Sequence, residues 1–185
     1  MVINDMKRME LLYQLSPLER RGIFVYSRRD LEKLFPDDDE KAMEKGLQRM
    51  CRDGLLVRAA RGVYVFGPAA TRHRGWMIEH VAQALRPGEF NYVSLESILS
   101  EYGVISQIPI DRLTVMTTGA KGTHRTPFGV IEFTHTRRSI ADLLDRTLAV
   151  EGRPLRIARK QAAIQDLRRV GRNVDMMGMD EAEDE

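Results

Sequence analysis

The chain has 185 residues, of which 43% are hydrophobic and 30% are charged, and its formal net charge is +2. This length suits one domain or two small ones, and the small net charge excludes a polycation that binds nucleic acid over its whole surface. No apolar run reaches the roughly 18–20 residues that span a bilayer, the N-terminal segment lacks a small-residue cleavage site, and the single cysteine, Cys51, excludes an internal disulfide framework. We therefore expect a cytoplasmic protein with no membrane contact.

The chain begins with a pattern of short helices and strands. Residues 5–15 predict a helix that the Ser-Pro pair at Pro17 either ends or continues with another turn, and a brief strand follows. Ser27 and Asp30 have the spacing of a capping box, which predicts a second helix directly after that strand. The acidic turn at residues 37–39 suits the positive N-terminal end of a third helix.

Residues 41–66 predict an amphipathic helix that leads into a β-hairpin. The apolar side chains of the helix recur at i, i+4, i+7 and i+8 and so share one face: Met43, Leu47, Met50 and Cys51. Gly54 suits the left-handed backbone just past the end of the helix. Two short apolar runs, residues 55–58 and 63–66, then predict strands around the basic turn Ala60-Arg61-Gly62.

This order of helices, strands and basic turn is typical of a winged helix-turn-helix, and we assign residues 1–67 to such a DNA-binding domain. In that fold the third helix enters the major groove of duplex DNA, and the hairpin lies over the minor groove or the backbone. Gln48 suits a paired hydrogen bond with adenine, and Arg49 suits guanine. The candidate DNA-binding residues are basic or amide side chains on the second helix, the third helix and the hairpin: Arg28, Arg29, Lys41, Lys45, Gln48, Arg49, Arg52, Arg58 and Arg61.

Two other interpretations of this region stay open. Glu40 and Glu44 partly offset the basic residues of the third helix, so an ordinary solvated helix face is one alternative. Winged helices also serve as protein-interaction modules. The second alternative is therefore a module of this kind, in which the hairpin is structural and has no role in DNA binding.

Residues 68–172 predict a second domain that mixes helices and strands, and the whole chain is therefore assigned to the α+β class. A hinge is predicted before it, at residues 67–70. The predicted helices cover residues 76–85, 95–102 (with Ser94 as N-cap), 140–148 and 156–170; the predicted strands cover residues 91–93, 112–118 and 128–134. The last two strands predict an antiparallel hairpin around a polar loop at residues 119–127. Residues 173–185 hold six acids and no basic residue, which predicts an acidic, disordered tail.

Signals for catalysis are weak along the whole chain. The four histidines lack the spacing of a metal site: His73, His80, His124 and His135. Residues 117–123 look like a phosphate loop, but they lack the G-x-x-x-x-G-K-S/T pattern and lie between two predicted strands, where no helix N-terminus points at an anion. We expect no enzymatic activity, no cofactor and no metal; a nucleotide-handling enzyme that uses this loop is the alternative.

Three segments resemble the AbiEi-type antitoxins of type IV toxin–antitoxin (abortive infection) systems. The resemblance extends over about residues 5–175, and the segments read LQRMCRDGLLVRAARGVYVF, YVSLESILSEYGVISQIPIDRLTVMTTGAKGTHRTPFGVIEFTHT and DLRRVGRNVD. The central segment is the most specific, since it combines four short motifs: Ser94-Leu95-Glu96, Glu101-Tyr102-Gly103, Thr117-Thr118-Gly119 and Thr126-Pro127-Phe128-Gly129.

The resemblance implies a bacterial transcriptional autorepressor, active in phage defence, with an N-terminal winged helix and a C-terminal antitoxin domain. It implies that operator DNA, with inverted repeats that favour two copies on DNA, is held by the third helix and the hairpin, through Lys45, Gln48, Arg49, Arg52, Arg58 and Arg61. It also implies that residues from about 75 to 172 counter a nucleotidyltransferase-like toxin, directly or indirectly. A general transcriptional regulator without an antitoxin role is the alternative.

One departure from the family pattern concerns the last helix. Similar sequences begin it with a Thr-Pro pair, whereas this chain has Ala158-Arg159-Lys160. We therefore expect the helix to start earlier here and to be more basic, which would suit a second DNA surface.

Overall fold

The computed structural model describes residues 8–105 and 111–171. The chain divides into two compact units, Met1–Met77 and Ile78–Glu185. Helices and sheets occur in both, which confirms the predicted α+β class. Within the described ranges, no helix is long and apolar enough to cross a membrane. The predicted acidic tail, residues 173–185, lies outside the described residues, and the predicted domain bounds at 1–67 and 68–172 stay predictions.

The first unit combines helices with a small antiparallel sheet. Its strands are hydrogen-bonded in the order β1-β3-β2. A compact apolar core, which includes Leu15, Leu31 and Met50, lies between the helices and this sheet. The elements are α1 (Arg8–Arg20), β1 (Val25–Ser27), α2 (Arg28–Leu34), α3 (Glu40–Arg52), β2 (Leu56–Ala60), β3 (Val63–Phe66) and α4 (Gly67–Arg72).

Helix α1 continues through Pro17 to Arg20, so the Ser-Pro pair does not end it. A proline inside a helix removes one hydrogen bond. Leu11, Leu15 and Glu19, spaced four residues apart, are all buried on one face, and that packing offsets the loss. The Glu19 carboxylate accepts a hydrogen bond from Arg72 Nη2 at 2.7 Å, which fixes the last turn of α1.

Side-chain caps hold the starts of α2 and α3. The predicted capping box is confirmed, since Ser27 Oγ accepts from the Asp30 amide and Asp30 Oδ2 accepts from the Ser27 amide. Asp39 is the N-cap of α3, where its carboxylate accepts from the Ala42 amide at 2.7 Å. Helix α3 ends as predicted, with Gly54 at a φ of +73°.

The predicted hinge at residues 67–70 is wrong, because these residues form the first turn of α4. The Gly67 amide donates to the Leu55 carbonyl at 2.8 Å. A Cβ at Gly67 would overlap the Gly54 carbonyl, so the absence of a side chain at Gly67 allows this close backbone contact. Pro68 suits the first turn of a helix, where its missing amide costs nothing.

The second unit is built on a six-stranded mixed sheet with the order β6-β7-β5-β4-β9-β8. Buried apolar residues such as Val93, Ile98 and Leu167 pack the helices against it. The elements are α5 (Met77–Leu85), β4 (Asn91–Val93), α6 (Leu95–Glu101), β5 (Arg112–Thr117), β6 (Gly122–Thr126), β7 (Gly129–His135), α7 (Ile140–Arg146), β8 (Thr147–Leu148), β9 (Arg156–Ala158) and α8 (Lys160–Val170).

The predicted hairpin between residues 112–118 and 128–134 is wrong. Strands β5 and β7 are parallel, and the antiparallel partner of β7 is β6. Residues 119–127 therefore hold a strand where the sequence predicted a loop. Strand β6 lies at the edge of the sheet and alternates half-buried and exposed residues, so it carries no run of apolar side chains that would reveal it.

The predicted helix over residues 156–170 starts later than expected. Arg156–Ala158 form strand β9, which pairs in parallel with β4, and α8 begins at Lys160. Ile157 and Ala158 are buried in this sheet, so burial selects the extended conformation. Ser94 does precede α6, but its hydroxyl donates to the buried Asp166 carboxylate at 3.0 Å and makes no cap hydrogen bond.

Candidate nucleic-acid interface

A groove of about 410 Å³ runs between α3 and the β2–β3 hairpin. We call it the α3–hairpin groove. Four of the nine predicted DNA-binding residues line it, and they come from α2, α3 and the hairpin, between residues 28 and 61. The lining residues are Arg28, Glu44, Leu47, Gln48, Cys51, Arg58, Arg61, Gly62 and Tyr64.

The hairpin is held beside the helices by its own turn. Gly62 has a φ of +75°, a conformation that favours glycine, and its carbonyl accepts a hydrogen bond from the Arg28 amide at 2.8 Å. Strand β2 has an irregular register between Arg58 and Ala60. The exposed Arg58 and Arg61 line the groove from the hairpin, and Gln48 lines it from α3.

Helix α3 presents a polar stripe next to this groove. Each residue turns a helix by about 100°, so positions i, i+4, i+7 and i+11 fall within about 60° of one another. The stripe consists of Lys41, Lys45, Gln48 and Arg52, and all four are exposed. Among the residues that the structure describes, Lys41, Lys45 and Gln48 make no side-chain hydrogen bond or ion pair. Arg52 Nε lies 3.6 Å from the Asp53 carboxylate, and the Arg52 side chain is 76% exposed.

Two predicted residues lie apart from the groove. Arg49 is about 100° around α3 from Gln48, on the side away from the hairpin, and it is half-buried. Arg29 is exposed on α2 but does not line the groove. The structure thus joins Arg28, Gln48, Arg58 and Arg61 in one concave surface and places Lys41, Lys45 and Arg52 beside it.

Acidic neighbours modify the charge of this surface. Arg28 Nε donates to Glu32 at 2.8 Å, and its Nη2 lies 3.6 Å from the Glu40 carboxylate. The hydrogen bond to Glu32, with the nearby negative charges, raises the pKa of Arg28. Glu44 also lines the groove, although its sequence position predicted only that it would offset nearby positive charge. Its position one turn before Gln48 was the signal that both share the groove face.

Cys51 and Tyr64 form part of the groove wall. Burial raises the pKa of the Cys51 thiol, and the Arg58 charge opposes this shift only in part. The pKa of Tyr64 is likewise raised by burial. Both side chains therefore stay neutral at physiological pH, and the charge of the groove comes from its arginines and Glu44.

Other sequence candidates have structural partners. The His73 ring stacks on Phe24 with centroids 4.5 Å apart, and His135 Nδ1 lies 2.8 Å from the Gly119 carbonyl oxygen. In residues 117–123, the Thr117 hydroxyl donates to Asn91 and also accepts from the Gly119 amide. Within residues 8–105 and 111–171, no group of three or more His, Cys, Asp or Glu side chains could hold a metal ion.

Comparisons with known proteins give little further information. No family model and no curated protein matches the chain. A crystal structure of the RV2827C protein from Mycobacterium tuberculosis is similar, with 16% sequence identity and a TM-score of 0.42. The match covers 76% of this chain and 49% of the mycobacterial chain, so this chain spans about half the length of that protein. At this TM-score the likeness supports no functional conclusion.

Proposed function

We propose that the chain is a DNA-binding autorepressor and antitoxin of a type IV toxin–antitoxin system. In this proposal, the first unit is a winged helix-turn-helix: α3 enters the major groove of operator DNA and the β2–β3 hairpin is the wing. The protein acts in the cytoplasm without enzymatic activity or cofactor. Two copies bind an inverted-repeat operator.

The α3–hairpin groove is the observation that supports DNA binding best. Lys41, Lys45 and Arg52 project from the exposed face of α3, and Arg58 and Arg61 project from the hairpin. Such a basic surface neutralises phosphates and releases counterions, so the affinity should fall steeply with salt. About six phosphate contacts would give a slope near −5 in a plot of log K against log salt concentration.

The antitoxin role is supported by the resemblance of the central segment to AbiEi-type antitoxins. In the structure its residues organise the second unit: the Tyr102 hydroxyl donates to the Ala158 carbonyl at 2.9 Å, and the Thr126 hydroxyl donates to the Gly129 carbonyl at 2.7 Å. These motifs therefore maintain the sheet. We propose that the surface built on this sheet counters a nucleotidyltransferase-like toxin, by direct binding or through the toxin's target.

The DNA-binding proposal is tested by a mobility-shift assay on the region upstream of the protein's own gene. We expect tighter binding to this DNA than to a scrambled duplex of the same length at about 150 mM salt. Equal affinity for the two duplexes would rule out sequence-specific repression.

The antitoxin proposal has a separate test in cells. The chain is co-expressed with a nucleotidyltransferase-like protein from the adjacent gene, and we expect growth to be restored. The double variant Arg58→Ala, Arg61→Ala should still restore growth, because we assign these two residues to DNA binding only. Growth arrest despite normal levels of the folded protein would refute the antitoxin role.

A protein-interaction module is the second candidate function, and Glu44 is the observation that favours it. This carboxylate lines the groove and opposes phosphate binding, and Glu32 partly neutralises Arg28. If this candidate is correct, the upstream DNA and the scrambled duplex will bind equally weakly, and the Arg58→Ala, Arg61→Ala variant will keep any cellular activity.

A further inference from the structure

We infer that Glu44 and Gln48 together select the base sequence of the DNA, and that Glu44 requires the exocyclic amino group of a cytosine. This inference rests on the proposed DNA-binding function and deepens it. It gives a role to Glu44, whose negative charge by itself opposes DNA binding.

Glu44 and Gln48 are adjacent on the exposed side of α3. They are one helical turn apart, so their positions differ by about 6 Å along the helix axis and their side chains lie on neighbouring parts of one face. Both line the α3–hairpin groove. Base pairs in duplex DNA are stacked about 3.4 Å apart, so the two side chains can reach base pairs that are one or two steps apart.

The Glu44 carboxylate has no hydrogen bond or ion pair with any other residue in the described part of the chain, and it is exposed. The negative charge of Glu44 acts on Arg28, but the Arg28 guanidinium bonds to Glu32 at 2.8 Å and lies near Glu40, not against Glu44. Glu44 therefore enters any complex as an acceptor without a donor. Desolvation of an ionised carboxylate without a hydrogen-bond donor is strongly unfavourable, so a complex that covers Glu44 must supply a donor.

Phosphate cannot supply that donor, because it has only acceptors and a negative charge. In the major groove, the cytosine N4 amino group is the donor that glutamate recognises, whereas guanine presents the acceptors O6 and N7. Gln48 suits adenine, which offers both a donor and an acceptor. The arginines of the hairpin, Arg58 and Arg61, remain for the phosphates, so the groove separates base reading on α3 from backbone binding on the hairpin.

The test is a selection of bound duplexes from a random library by the full-length chain, repeated with Glu44→Gln. Wild type should enrich a cytosine and an adenine one or two positions apart. Glu44→Gln should reduce the preference for cytosine at one position by about 5- to 100-fold and leave the adenine preference unchanged. Its affinity for non-selected DNA should rise, because a repulsive charge is lost.

Glu40→Gln is the matched control. Glu40 is on the same helix, its side chain is 90% exposed, and it does not line the groove, so its replacement removes the same charge from outside the base-reading face. Arg28 loses the Glu40 charge at 3.6 Å in this variant but keeps its hydrogen bond to Glu32. We expect the selected sequence to be unchanged in this variant. A Glu44→Gln variant that binds all duplexes more tightly, with the wild-type base preference, would overturn the inference and leave the proposed function intact. A wild-type chain with no base preference would overturn both.

Discussion

Charged side chains are arranged differently in the two units. In the first unit Glu19 is buried, but the basic side chains of the α3 stripe and the hairpin stand around an open groove, and Arg52, for example, is 76% exposed. In the second unit several lie inside: the Arg153 side chain is 4% exposed and bonds to Glu79 and Glu101 at 2.7–2.9 Å. Buried Asp166 accepts from Tyr92 and Ser94, each at 3.0 Å. Exposed charges without firm partners contribute little to stability and remain available for a ligand, whereas a buried charge that loses its partner strongly destabilises the fold.

The largest expected effect breaks a buried pair in the second unit. Arg153→Ala leaves Glu79, which is 2% exposed, without its guanidinium, and this should lower the free energy of unfolding by about 3–5 kcal/mol. Urea unfolding followed by circular dichroism measures the change. Lys45→Ala, at an exposed position of the α3 stripe, should change the free energy of unfolding by less than about 0.5 kcal/mol.

A second variant checks that the unpaired charge causes this loss. Glu79→Gln combined with Arg153→Met removes both charges, so it should recover part of the stability. If Arg153→Ala were no less stable than Lys45→Ala, the contrast between the two units would be wrong.

The next effect concerns DNA and the first unit. Arg58→Ala with Arg61→Ala should weaken operator binding by about 10- to 100-fold and reduce the magnitude of the salt slope by about 2, because two phosphate contacts are lost. Fluorescence anisotropy at several salt concentrations measures both quantities. Stability should be nearly unchanged, since both side chains are exposed.

Arg20→Ala with Arg21→Ala is the control for that experiment. These arginines are also exposed and carry the same total charge, but they do not line the α3–hairpin groove. The control should keep most of the affinity. An equal loss in both double variants would mean that only net charge matters.

A smaller effect is expected at the start of α3. Asp39→Ala removes the acceptor of the Ala42 amide, which should cost about 1 kcal/mol of stability. Asp39→Ser should keep most of it, because serine also caps helices. Asp37→Ala, in the same turn but outside the cap, should have little effect in the same urea titration.

The smallest effect is a pH dependence at His124. Burial, and then the neighbouring Arg86 charge, lower the pKa of His124 below its ordinary value of 6.5. The unfolded chain then binds more protons than the native chain, so the stability from this group is present above pH 6.5 and is lost as the pH falls through the lowered pKa. His124→Gln should reduce the loss of stability between pH 7.5 and pH 5.5. An unchanged loss would show that other groups cause it.

The sequence determined the local structure of the first unit, because its signals act within a few residues. The Ser27 and Asp30 capping box, the apolar face of α3 and the left-handed Gly54 depend on neighbours in the chain, and each is present. The overall α+β class followed from the same patterns.

The tertiary structure decided features that depend on residues far apart in the chain. Strand β6 has no apolar alternation of its own and exists because β7 offers hydrogen-bonding groups, while β9 is extended because Ile157 is buried beside β4. In the candidate interface, the sequence named Arg28, Gln48, Arg58 and Arg61, but only the fold brought them around one groove and placed Glu44 there. Periodicity shows which face of a helix is polar; packing decides what lies opposite that face.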